Sequence, residues 1–254
     1  VHYYGITPDF SIDAESAESI AQEMALPFLL SHKENEALKD FAKTTKLDVL
    51  AKELFVDTIL KYSTISEPIQ FKELLENQYE YAKEQWIKEV NKFNICVDSL
   101  ANEYKSYNPK TKGVFYKKMG ELLQISSPEA NEIKAFYFYA KKFGDVSLTG
   151  QKSAYNPCME YVYELKRIFE TISSVAVFLD KYPVLQELIS LLDDFQKEYN
   201  KRKCQNGILT FADAAKLALR ILLECPDIRQ AEKESYKAIM IDEFQMFYLN
   251  KFEL

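Results

Sequence analysis

Apolar residues recur at helical spacing over most of this chain. Gly and Pro, which interrupt helices, contribute only 6 and 8 of the 254 residues. Long segments with this period and few breakers are typical of α-helices. We therefore predict an all-α fold, mostly helical, with at most a short β segment near the C-terminus.

Polar caps predict where helices of the first half begin. Asp13 and Ser16 precede one apolar face, and Asn35 precedes a second. Pro68 is placed at the first turn of a further short helix, where proline is tolerated. The predicted helices cover about residues 13–31, 35–41, 47–62, 68–75 and 78–106.

Residues 104–118 differ in composition from the rest of the chain. Lysines alternate with Tyr104, Tyr107, Phe115 and Tyr116, and we predict a loop or loosely helical insertion. Basic side chains suit phosphates and aromatic faces suit bases, which favours a nucleic-acid contact. The same pattern fits a solvated loop whose aromatics enter a core, and both interpretations stay open. The lysines are Lys105, Lys110, Lys112, Lys117 and Lys118.

Two helices are predicted after this segment. One carries Leu122, Leu123 and Ile125, and the next is capped by Ser127-Pro128-Glu129. The aromatic stripe at 136–143 is more typical of a core than of a binding platform. The exposed face of the second helix stays positive through Lys134, Lys141 and Lys142.

The second half contains a linker and several further helices. Residues 144–157 are rich in Gly, Ser, Thr and Asn. A helix is predicted over 159–179, broken at Lys181-Tyr182-Pro183 and resumed over 184–203. Thr210 caps a helix that runs to about Glu224, and Pro226 ends it.

An apolar, β-prone run at 238–241 ends in adjacent carboxylates. This layout is typical of a buried parallel strand that delivers acids to the edge of a sheet. It suits a magnesium-bound nucleotide, with Asp242 holding Mg²⁺, Glu243 orienting the attacking water and Gln245 sensing the γ-phosphate. Taken alone, the pattern also fits a strand end that meets solvent.

Composition excludes several classes of protein. No run approaches the roughly 18–20 apolar residues that span a bilayer, and the N-terminus lacks the features of a signal peptide. We therefore expect a cytoplasmic protein without a membrane partner.

The four cysteines form no C-x-x-C pair, and the presence of only two histidines argues against a histidine metal site. Because the first residue is not Met, we expect a piece of a longer chain.

Charge is unevenly distributed. The net charge is −7, and residues 1–100 hold 10 basic and 18 acidic residues against 22 and 21 in the remainder. A negative total disfavours non-specific nucleic-acid binding, although binding depends on local patches. A basic patch is therefore expected only after residue 100.

Two signals occur in a recognisable order. Leu209-Thr210-Phe211-Ala212-Asp213, followed by a strand that ends in Asp242-Glu243-Phe244-Gln245, resembles superfamily 1 DNA helicases of the UvrD/Rep and AddA/RecB type. The segment Tyr3 to Ile12 is similar to the AddA/RecB segment after the first DNA-contact motifs. Residues 30–190 are matched only by helical character and length.

The resemblance implies a fragment of an ATP-dependent DNA helicase or helicase-exonuclease that acts in repair and recombination. Residues 1–30 would join a first RecA-like domain to a helical insertion, the 1B subdomain, at 31–190. Residues 191–245 would return to an incomplete RecA-like domain and end in the Walker B acids. Residues 246–254 form a tail that departs from the family.

The resemblance also implies cofactors and partners. ATP and Mg²⁺ would bind the full-length protein, with Asp242 as the metal ligand. The partner would be duplex DNA or a duplex/single-strand junction, bound without sequence preference, and a second helicase-nuclease subunit is a further expected partner. The DNA contact would use Lys105, Lys110, Lys112, Lys117, Lys118, Lys134, Lys141 and Lys142.

One motif of the family is missing. No G-x-x-x-x-G-K-[ST] phosphate loop occurs in these residues, so we expect neither bound ATP nor ATP hydrolysis from this chain alone. The alternative is a helical module that docks a partner subunit without touching DNA. An independent enzyme finds no support, because no nucleophile, base and orienting group stand at recognisable spacing.

Overall fold

The computed structural model describes residues 6–7, 9–107, 113–147 and 156–237. The chain divides into two compact units. The first unit combines Val1–Ile69 with Asp194–Leu254, and the second unit is the uninterrupted segment Gln70–Asp193.

The described residues are mostly helical, which confirms the predicted fold class. Between Leu50 and Asp57 the helix continues as a π-helical segment, Ala51–Val56. The α-helices are α1 (Ala14–Ser31), α2 (Glu36–Ala42), α3 (Leu47–Leu50), α4 (Asp57–Tyr62), α5 (Phe71–Ser106), α6 (Val114–Leu122), α7 (Ile133–Gly144), α8 (Cys158–Asn206), α9 (Phe211–Glu224) and α10 (Pro226–Ser235).

The predicted starts of the first two helices are confirmed, and each start has a side-chain cap. The Asp13 carboxylate accepts hydrogen bonds from the Ser16 backbone N–H at 2.9 Å and from the Ser16 hydroxyl at 2.6 Å. These bonds satisfy free donors at the start of α1 and lower the pKa of Asp13. The Asn35 side chain accepts from the Leu38 N–H at 3.0 Å in the same way.

The core of the first unit contains a cluster of aromatic rings. Phe55, on the π-helical segment, lies with its ring centroid 6.0 Å from Phe28 and 5.5 Å from Phe195. Phe28 and Phe195 are 5.2 Å apart in an edge-to-face arrangement, the geometry that aromatic pairs prefer. This cluster holds α1 and the C-terminal part of α8 together.

A two-stranded parallel sheet also belongs to the first unit. β1 (Ser11–Ile12) pairs with β2 (Ile208–Leu209), with Ser11 opposite Ile208. Gly207 precedes β2 with φ of 64°, a left-handed conformation that favours glycine. The sequence predicted neither β1 nor β2, and the strand predicted after residue 237 lies outside the described residues.

The prediction of two helices between residues 68 and 106 is wrong. Pro68 precedes the helix, and α5 runs without a break from Phe71. The start of α5 is set by a cap from a distant part of the chain. The Asp193 carboxylate, on α8, accepts hydrogen bonds from the backbone N–H groups of Phe71 and Lys72, each at 3.2 Å.

The predicted cap of the aromatic helix is also wrong. α7 begins at Ile133 with Glu132 in the cap position, and the helix expected to carry Leu122 to Ile125 instead ends at Leu122. The Ser127 hydroxyl instead donates to the Asn94 side chain of α5 at 3.0 Å. Residues 123–132 therefore form a connection between α6 and α7.

The predicted break at Pro183 is absent. α8 continues through this proline, although proline removes one helical hydrogen bond and crowds the preceding turn. Packing on both sides compensates: the ring of Tyr182 stacks on Tyr79 of α5 at 3.8 Å, and Leu179 and Leu188 are buried.

The core of the second unit lies between α5, α6, α7 and the N-terminal part of α8. Phe93 is central, with ring centroids of Phe136, Tyr139 and Phe143 at 5.6–5.9 Å. The Trp86 indole N–H donates to the Ala130 carbonyl at 2.6 Å. The aromatic stripe of α7 is therefore mostly core, as the sequence indicated.

Candidate functional site

Asp213 lies at the start of α9, in the segment that carries the helicase resemblance. Its backbone N–H donates to the Thr210 hydroxyl oxygen at 3.1 Å, and its carboxylate accepts from the Thr210 backbone N–H at 2.9 Å. The pair forms a reciprocal capping box, so the predicted Thr210 cap is confirmed. This cap fixes the direction in which α9 leaves β2.

A buried ion pair joins this cap to α8. The Lys203 ammonium lies 2.7 Å from Asp213 Oδ2, and the two side chains are only 0% and 1% exposed. The same ammonium lies 4.7 Å from the ring centroid of Tyr199. Burial lowers the pKa of Lys203, while the Asp213 carboxylate opposes that shift.

Asp213 also binds the backbone of the connection between α4 and α5. Its Oδ1 accepts from the Ile65 backbone N–H at 2.8 Å, while Oδ2 accepts from Lys203 and from the Thr210 N–H and hydroxyl. Both oxygens therefore accept hydrogen bonds from neighbouring donors. This arrangement suits a structural clamp better than a general base or a metal ligand.

The clamp is the feature that sequence reasoning missed, although Asp213 belongs to the motif that carries the resemblance. The available signal was periodicity: Lys203 falls in phase with Leu192, Phe195 and Tyr199, which form the buried face of α8. A charge on such a face needs a buried partner. The sequence did not show which acid would supply it.

A cavity of about 300 Å³ adjoins the clamp within the first unit. The Ser66 hydroxyl, one of its lining groups, is buried without a hydrogen-bond partner among the described residues. The lining residues are Ile6, Ile65, Ser66, Leu209, Asp213, Leu217 and Arg220.

The predicted DNA-contact lysines that the structure describes all belong to the second unit. Lys105 lies in the last turn of α5, and the others lie on α6 and α7. Each is exposed, as a phosphate contact requires. The described residues are Lys105, Lys117, Lys118, Lys134, Lys141 and Lys142, whereas Lys110 and Lys112 lie outside the described residues.

Most aromatics of the basic segment pack against one another. The rings of Tyr104 and Tyr116 stack at 4.3 Å, and the Tyr116 hydroxyl donates to the Tyr107 carbonyl at 3.3 Å. Phe115 is buried. In this segment, therefore, the lysines but not these stacked ring faces are open to a ligand.

The predicted nucleotide-site residues Asp242, Glu243 and Gln245 lie outside the described residues. Within 6–7, 9–107, 113–147 and 156–237, no group of three or more His, Cys, Asp or Glu residues could hold a metal ion. No described helix has the length and apolarity needed to cross a membrane.

Comparison with known proteins gives the class. The UvrD/REP helicase N-terminal domain matches residues 4–254, and the chain belongs to this family. The resemblance based on the two motifs is thereby confirmed.

The curated relatives are subunits of one kind of enzyme. The chain is 27% identical to an ATP-dependent helicase/nuclease subunit of Streptococcus thermophilus over 175 residues, which cover 66% of this chain and 13% of the relative. It is 33% identical to the exonuclease/helicase subunit RexA of Lactococcus lactis subsp. cremoris over 100 residues, 39% of this chain and 8% of that protein. The matches thus span a small part of each relative. No solved structure gives a significant match.

Proposed function

We propose that this chain is part of an ATP-dependent DNA helicase-exonuclease subunit that acts in DNA repair and recombination. The observation that carries the proposal is the family match over residues 4–254. Relatives whose names include both helicase and nuclease support the same assignment. The clamped start of α9 is consistent with this assignment, because it fixes the direction of the motif that precedes the predicted acidic strand.

In the full-length protein, Asp242 would hold Mg²⁺, Glu243 would orient the attacking water and Gln245 would sense the γ-phosphate. Paired carboxylates are the oxygen donors that magnesium prefers, so the donor set fits the ion. Bound Mg-ATP would supply the free energy for movement along DNA. Because the phosphate loop does not occur in these residues, we predict no ATP turnover from this chain alone.

We propose that residues 31–190 form the inserted subdomain. Residues 1–30 and 191–245 would belong to the first RecA-like motor domain, and residues 246–254 to the atypical tail. The support is that one compact unit is built from both ends of the chain, whereas the other is an uninterrupted segment, although that segment begins at Gln70 and residues 31–69 belong to the first unit. This is the pattern of an insertion into a host domain.

The DNA contact would use the exposed lysines of α5, α6 and α7. We expect weak binding to duplex or junction DNA without sequence preference, because lysine contacts to phosphates carry no sequence information. The net charge of −7 opposes approach to DNA at long range. Binding should therefore be measurable only at low salt.

Fluorescence anisotropy with labelled duplex DNA tests this proposal. Lys117→Glu with Lys118→Glu should weaken binding and make the dependence on salt shallower, by about 1 in the logarithmic slope for each phosphate that the chain no longer neutralises. The matched control, Lys33→Glu with Lys52→Glu, makes the same charge change at exposed lysines of the first unit and should alter binding little. Equal effects from both pairs, or no binding by the unmodified chain, would contradict the DNA contact.

A protein-docking function is the second candidate. The observation that favours it is the apolar exposed side of α9, where Phe211, Leu219 and Leu223 are 73%, 50% and 64% exposed. Such a surface suits a partner subunit or the remainder of the motor. Co-purification with the second helicase-nuclease subunit, in a chain that binds no DNA, would favour this function over the first.

A further inference from the structure

α7 carries one aromatic residue that its core does not use. Phe136, Tyr139 and Phe143 are buried, whereas Phe138 is 55% exposed. Lys134 lies one turn before Phe138, and Lys141 and Lys142 lie one turn after it, so all four share the outer face of the helix. An exposed phenyl ring thus stands between positive charges.

An apolar groove of about 480 Å³ lies beside this ring within the second unit. The Tyr137 ring forms part of its wall, 5.3 Å from Phe138 and edge-on to it, and Val177 of α8 is 56% exposed. The lining residues are Ile133, Lys134, Tyr137, Phe138, Ala176, Val177, Leu179, Asp180 and Lys181.

The charges at the rim of the groove are mainly positive. Among the described residues, Asp180 is the one acid in its lining, and it lies 3.9 Å from the Lys134 ammonium. Lys141, Lys142 and Lys181 are exposed and form no ion pair with the residues that the structure describes. An occupant with an apolar face and negative charges on either side would complement this surface.

We propose that the groove binds single-stranded DNA, with an unpaired base stacked on Phe138 and the flanking phosphates on the lysines. The inference rests on the proposed DNA-binding function and specifies the form of DNA that this face takes. Lys134 and Lys142 are eight positions apart on one helix, so their Cα atoms are about 12 Å apart, which leaves room for a base between them. Inside a duplex the bases stack on one another, so only its terminal base pairs offer a free face.

Anisotropy with a labelled dT oligonucleotide and the full 254-residue chain tests the proposal. Phe138→Ala should weaken single-strand binding about 5-fold to 150-fold, the range measured for loss of one base–aromatic stack, while Phe138→Tyr, which keeps a ring, should retain most of the affinity. Binding of a blunt duplex of equal length should stay nearly unchanged. In a strand that carries a fluorescent adenine analogue, quenching by the chain should disappear with Phe138→Ala.

The matched control is Tyr81→Ala on α5. Tyr81 is 58% exposed, but its neighbours one turn away are Asn77, Gln78, Glu84 and Gln85, so it lacks flanking lysines. Its loss should leave single-strand binding unchanged. Circular dichroism of both variants checks that each is folded.

The outcomes separate this inference from the function on which it rests. If lysine substitutions weaken DNA binding but Phe138→Ala behaves like Tyr81→Ala, stacking is wrong and the DNA contact stands. If the unmodified chain binds neither single-stranded nor duplex DNA at low salt, the stacking inference and the proposed DNA-binding function are both contradicted. If Phe138→Ala leaves DNA binding intact but reduces self-association in sedimentation, the groove is a protein-binding face and the inference is overturned.

Discussion

At the residue scale, Asp213 forms more interactions than a helix cap alone requires. One carboxylate closes the capping box with Thr210, neutralises Lys203 and receives the Ile65 N–H. A buried ammonium without a counter-charge is costly, because it loses hydration without replacement. The stability of the first unit should therefore depend strongly on this one side chain.

We predict that Asp213→Asn lowers the free energy of unfolding by about 3–5 kcal/mol, the usual cost of leaving a buried charge unpaired. Urea denaturation followed by circular dichroism measures this change. Asp227→Asn, at an exposed position of α10, is the control and should change stability by less than about 1 kcal/mol.

Neutralising Lys203 as well should recover part of that loss. Because Lys203→Met removes the uncompensated charge, the double variant should be more stable than Asp213→Asn alone, and the cycle should show coupling. A double variant whose loss equals the sum of the two single losses would argue against the ion pair as the reason.

At the element scale, the sequence predicted helix ends that are controlled locally and missed those controlled from afar. Asp13, Asn35 and Thr210 each lie directly before the helix that they cap. The starts of these helices can therefore be predicted from the local sequence. Asp193 caps α5 from a position 122 residues away, which no local pattern records. The prediction of a break at Pro183 was wrong for a similar reason. Packing between α5 and α8 outweighs the tendency of proline to interrupt a helix.

The junction of α7 with α8 should tolerate no added methyl group. A Cβ atom on Gly144 would lie 2.6 Å from the Phe169 ring, so Gly144→Ala must displace a packed aromatic side chain. We predict a loss of about 1–3 kcal/mol in the free energy of unfolding, measured by urea denaturation. Gly113→Ala is the control, because nothing lies within 4 Å of its Cβ position. Since Gly113 is the N-cap of α6, this variant should lose only the small difference between glycine and alanine as caps, about 1 kcal/mol or less. Equal losses in the two variants would show that close packing at Gly144 is not the cause.

At the scale of the whole molecule, sequence reasoning gave the fold class and the family but only part of the site. The basic residues could be named because exposure of lysine is the rule. Phe138 could not be separated from Phe136 or Phe143, since which side of α7 faces the core depends on helices distant in sequence. The Asp242 and Glu243 predictions stay predictions.

The apolar outer side of α9 should make the isolated chain self-associate. We predict that Leu219→Ser with Leu223→Ser lowers the average mass at high protein concentration in sedimentation equilibrium, because these exposed side chains would be buried between copies. Leu74→Ser with Ile87→Ser on α5, where both residues are 54% exposed, is the control and should leave the mass unchanged. If both pairs act alike, the association has no specific surface.

The pairing of β1 with β2 has a consequence for the order of events during translation. Ser11 pairs with Ile208, so the ribosome has to synthesise the entire second unit before the two strands of the first unit can pair. The second unit, being continuous from Gln70 to Asp193, can begin to fold as soon as it has left the exit tunnel, because domains generally fold as units during synthesis. Ser11 and Ile12 are therefore translated long before their partners Ile208 and Leu209, and until then β1 remains an unpaired strand.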